Sequence, residues 1–77
     1  MYGKGALNRA IVDGLFAQRK LDGDPDIIAK DDPEFLRAVV AQGKRAEEVC
    51  RREGWTATIA HAYAHAGVPL EKGGNDA

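Results

Sequence analysis

His61 and His65 stand four residues apart in the run TIAHAYAHAG, a spacing that puts two imidazoles on one helix face and can hold a metal ion. No third ligand lies nearby in sequence, and the intervening Ala62-Tyr63-Ala64 lacks the glutamate of an HExxH general base. Two surface histidines without a metal are therefore expected. The one thiol, Cys50, falls on an apolar helical stripe with Ala46 and Val49, where cysteine is usually an inert packing residue. Asp22, Asp24 and Asp26 alternate like the start of a calcium loop. The pattern then fails, because Ile27 stands where the loop needs glycine and Pro33 where it needs a bidentate glutamate. Gly3-Lys4-Gly5 lacks the length and the following hydroxyl of a phosphate loop. No catalytic residue, metal site or cofactor is expected, and the chain reads as a binding protein rather than an enzyme.

The elements that would carry a binding surface are helical. Leu7, Ala10, Ile11, Leu15 and Leu21 recur at helical spacing and predict a first helix over residues 6–21. Val12 and Phe16 widen its apolar arc beyond the usual stripe, so the helix is either central to the core or shared with a second copy, in which case those two residues form the dimer interface. Gly14 lies inside the apolar face, where it weakens the helix but lets another backbone come close. An acidic linker, residues 22–32, begins with an Asp-Gly turn. Asp24-Pro25 and Asp32-Pro33 both have the form of a capping carboxylate followed by a proline at the first helical position. A second helix is predicted over residues 33–53, with a possible break at 42–43 around Gly43. A third covers residues 56–66, capped by Thr56 and ended by Gly67-Val68-Pro69. Residues 70–77 read as a loose polar tail. The expected core is Leu7, Ile11, Leu15, Leu36, Val39, Val40, Val49, Trp55, Ile59 and Tyr63, with Trp55 as a plug at the corner.

The fold class expected is all-α, a small bundle of three to four helices. With the break at 42–43 it becomes a tri-helical helix-turn-helix with an extra N-terminal helix. At 77 residues the chain is one small domain that buries little surface alone, so a partner or a second copy is plausible. A single cysteine excludes an intrachain disulfide and fits a reducing, cytoplasmic setting. No run is long and apolar enough for a membrane span, and the first residues lack a signal peptide's apolar core. Net charge is −1, distributed as basic, acidic and basic blocks with the strongly acidic block at the linker. Strong electrostatic attraction to nucleic acid is not a property of the protein as a whole.

The segment QGKRAEEVCRREGWT resembles the first half of the helix-turn-helix found in transposase-type domains and small bacterial or phage regulators. It shares Glu48-Val49-Cys50-Arg51, the corner glycine Gly54, the hydrophobic Trp55 and the hydroxyl Thr56. The resemblance implies a DNA-binding regulator in which Lys44, Arg45, Arg51 and Arg52 contact phosphates while Thr58, His61 and His65 face the groove. The chain departs from the pattern at Ala60, where such families place an aliphatic residue. The outward face of the last helix (Ala57, Thr58, His61, Ala64, His65) also lacks the Arg, Lys, Asn or Gln that read bases. Glu47–Arg51 and Glu48–Arg52 at i,i+4 give those arginines a purely structural alternative. The competing expectation is a protein-interaction module: an adaptor, or an anti-CRISPR-like inhibitor of a host complex of the kind mobile elements encode. The partner is thus DNA or a host protein complex.

Overall fold

The computed structural model describes residues 3–27 and 30–70. Three helices make up the described chain: α1 Lys4–Leu21, α2 Pro33–Glu53 and α3 Thr56–Ala66. Among the described residues there is no strand, so the protein is all-α. None of these helices is long and apolar enough to cross a membrane. The expected tail beyond Leu70, and Ile28 and Ala29 of the linker, lie outside the described residues.

Three of the six helix ends follow from local chemistry. Asp32 caps α2, its Oδ1 accepting the Glu34 amide at 3.1 Å with Pro33 at the first helical position. At the other end Gly54 takes φ 78°, and the amides of Gly54 and Trp55 donate back to the carbonyls of Arg51 and Cys50. Gly67, at φ 71°, ends α3 in the same way, with Val68 donating to the Tyr63 carbonyl at 3.0 Å. Asp24-Pro25 does not open a helix. The Asp24 carboxylate accepts the Asp26 amide and the Asp24 carbonyl accepts the Ile27 amide, which closes a turn over residues 24–27.

The helix starts differ from expectation at two places. α1 begins at Lys4 rather than residue 6, with the Lys4 ammonium 5.1 Å from the Trp55 ring centre, so its first turn rests on the corner before α3. Thr56 does not cap α3. The N-cap is Trp55, without a side-chain bond, and Thr56 is already helical. Gly54 completes the reversal in one residue, which leaves the hydroxyl one position too late.

α2 runs unbroken through Gly43. What the glycine provides is a crossing point. A Cβ on Gly43 would lie 2.9 Å from the Gly14 Cα and 3.0 Å from the Ala10 carbonyl oxygen, and one on Gly14 would lie 2.9 Å from the Gly43 Cα. The two helices therefore meet backbone to backbone. Leu7 and Ala10 face Ala46 and Val49 on one side of this crossing, and Phe16 and Ala17 face Leu36 and Val39 on the other, so α1 and α2 are antiparallel. α3 lies along α1: Asn8 Nδ2 donates to the Thr58 carbonyl near its start, and Arg19 Nη1 donates to the Ala66 carbonyl at its end.

This close approach selects a small-residue core. Ile11, Val12, Ala46, Cys50, Ile59, Ala62 and Ala66 form the buried cluster, with Ala17 and Leu36 also buried. The larger residues expected there, Leu7, Leu15, Val39, Val40, Val49, Trp55 and Tyr63, are half-buried shoulders around it. Trp55 is thus a flank of the corner rather than its plug. Val12, expected on a face open to a second copy, is only 6% exposed, inside the core of the single chain. Phe16 is half-buried against that core, with the Arg19 guanidinium 5.8 Å from its ring centre. The apolar arc of α1 is wide because α1 packs against both other helices.

Candidate nucleic-acid interface

With α2 continuous, its solvent face can be read at about 100° per residue. Arg37, Lys44, Arg45, Arg51 and Arg52 fall within an arc of about 120° opposite the buried Leu36, Gly43, Ala46 and Cys50. All five are exposed. They span about 22 Å along the helix at 1.5 Å per residue, with Glu48 as the acid among them. Arg37 was missed from sequence, although its signal was present at seven and eight residues before Lys44 and Arg45. A break at 42–43 would have separated it from them.

Arg51 is held at the α3 edge of this face. It donates to Glu47 Oε2, and Tyr63 Oη donates to Glu47 Oε1 at 2.9 Å, so one carboxylate ties α2 to α3. The Glu47–Arg51 pair expected at i,i+4 is therefore formed. The same carboxylate acts on Cys50, which is fully buried. Desolvation first, and the Glu47 charge second, push its thiol above the ordinary value. A thiol in that setting stays protonated and is a poor nucleophile.

Thr58, His61 and His65 lie elsewhere. Tyr63 marks the α2 side of α3, and each histidine is about 160° around the helix from it. Thr58 and His61 instead line a cleft with Lys4, Asn8 and Ala57 at the start of α1. The two imidazoles are exposed, with ring centroids 6.4 Å apart. Among the described residues no three His, Cys, Asp or Glu side chains converge to hold a metal. The structure thus gathers Lys44, Arg45, Arg51 and Arg52 on one helix face and puts Thr58, His61 and His65 on a different edge.

Arg19 was not singled out from sequence. Its Nε donates to Asp24 Oδ2 at 2.7 Å while Nη1 reaches the Ala66 carbonyl at 3.1 Å, joining the linker to the end of α3. The Asp26 amide and then the Arg19 guanidinium hold the Asp24 carboxyl below its usual range. No sequence spacing signals this contact, because it depends on where α3 ends in space. No family model, no curated protein and no solved structure matches this chain, so its function rests on the chemistry of these surfaces.

Proposed function

We propose that the chain is a small non-enzymatic protein that holds a nucleic-acid backbone along the solvent face of α2. The observation that carries this reading is the stripe of Arg37, Lys44, Arg45, Arg51 and Arg52 on one exposed helical arc. Cations spaced along a rigid helix neutralise successive phosphates and release condensed counterions. In this reading the α2–Gly54–Trp55–α3 corner corresponds to the helix-turn-helix that the sequence resemblance to DNA-binding regulators implies. Binding is sequence-tolerant, because phosphate contacts position a protein without specifying a base and α3 offers little for base reading.

The test is fluorescence anisotropy of mixed-sequence duplex DNA at low and rising salt. The double variant Arg45→Gln/Arg52→Gln weakens binding to all sequences alike and flattens the slope of log affinity against log salt by about 1.8 for two lost contacts. No binding of the wild type at low salt overturns the reading. A second reading, a protein-interaction module such as an adaptor or mobile-element inhibitor, is favoured by the exposed Ala57, Ala60 and Ala64 on the outer side of α3. Capture of a partner that survives nuclease treatment, with no binding to DNA, decides for it.

A further inference from the structure

Away from the basic face of α2, a groove of about 530 Å³ runs between the second half of α1, the linker and the start of α2. Phe16, Ile27, Phe35 and Val39 supply its apolar walls, and Asp13 and Asp26 stand on its rim. Phe35 is 58% exposed and is the exposed large hydrophobic side chain among the described residues. We propose that this groove docks a basic amphipathic helix of a partner protein.

Charge selects the occupant. The carboxylates that line the groove are Asp13, which lies 3.5 Å from Arg9 on the exposed face of α1, and Asp26. The segment 22–34 that supplies Asp26 carries six carboxylates and one lysine in sequence. Lys20 also lines it, but its ammonium is held by Asp31 Oδ2 at 3.0 Å, so that charge is offset. A nucleic-acid backbone is repelled by this rim. A second copy docked about a two-fold axis would set the two acidic rims against each other. Nor does a head-to-tail copy fill the groove with its basic stripe, which carries Ala41 but no large apolar side chain. A helix with apolar residues at i, i+4 and i+7, flanked by Lys or Arg, meets both requirements. Its apolar side chains cover Phe35 and its cations face Asp13 and Asp26. The proposal is independent of the α2 stripe, which lies on the opposite side of that helix.

The probe is a fluorescein-labelled designed helix of about sixteen residues, with leucines at i, i+4, i+7 and i+11 and lysines on the flanks, beside a control with every lysine replaced by glutamate. Anisotropy titrations use the full chain at physiological salt. The lysine peptide is expected to bind and the glutamate peptide to fail. Phe35→Ala should weaken binding about tenfold or more, as for an anchor residue, while circular dichroism shows the helix content retained. Asp26→Lys, a surface change that spares the core, should weaken it as well, whereas Arg45→Gln/Arg52→Gln should leave it unchanged. The proposal is overturned if the lysine peptide does not bind or if the glutamate peptide binds equally well. It is also overturned if neither Phe35→Ala nor Asp26→Lys matters, or if sedimentation shows that a second copy of the chain already covers Phe35.

Discussion

Replacing Gly43 with alanine sets two effects against each other. In an open helix the change stabilises, because alanine exceeds glycine in helix propensity by about 1 kcal/mol. At Gly43 the new methyl would sit 2.9 Å from the Gly14 Cα and 3.0 Å from the Ala10 carbonyl oxygen. Carbon atoms rest at about 3.5–4.0 Å, so the helices must part by roughly 0.6 Å or more. Both obstructing atoms are helix backbone and cannot turn aside. Separation also loosens Ile11, Ala46 and Cys50, which the crossing holds together. Overpacking of this kind costs about 1–3 kcal/mol, and with the propensity gain subtracted the net loss expected is about 0–2 kcal/mol. For a domain of this size about 4–8 °C of Tm follows each kcal/mol, so Tm should fall by up to about 16 °C in a circular dichroism melt. Gly5→Ala is the internal control: nothing lies within 4 Å of its Cβ, and the propensity gain should appear alone as a small rise in Tm. A Gly43→Ala protein that melts above wild type, as Gly5→Ala should, would refute the backbone contact.

Two further outcomes follow from the ionisable groups. Cys50 should resist iodoacetamide in the native protein near pH 8 and react promptly in urea, since burial and Glu47 raise its thiol above the usual range; rapid native labelling contradicts the packing. A group raised in the fold favours the protonated state, so its contribution to stability is present below its ordinary value of 9.0 and fades as pH climbs through the folded pKa. Asp24 has the opposite sign. Its carboxyl is lowered by the Asp26 amide and Arg19, so its contribution is present above the ordinary value of 3.8 and is lost as pH falls through the folded pKa. The Tm gap between wild type and Asp24→Asn should therefore be widest near neutrality and close in acid, and a gap undiminished at low pH would show that the Arg19–Asp24 pair is not its source.

The sequence by itself determined what depends on neighbours along the chain. Asp32-Pro33 starts α2, Gly54 ends it, and Gly67-Val68-Pro69 ends α3, because a cap or a left-handed turn is settled by the few residues that make it. Helical periodicity also carried Ile11, Leu36 and Ile59 into the buried set. Tertiary structure decided the rest. The sequence left α2 either broken or continuous at Gly43, and only Gly14 on a facing helix makes that glycine a crossing point, since close backbone contact is a property of two helices. The wide arc of α1 pointed to core packing ahead of a second copy, and only α3 packed against α1 shows that Val12 is buried within the single chain. The Tyr63–Glu47–Arg51 tie, the Arg19 clamp and the separation of His61 and His65 from the α2 stripe each join residues distant in sequence. Periodicity gives each side chain an angle about its own axis; where those axes lie relative to one another is set by packing, which no single helix encodes.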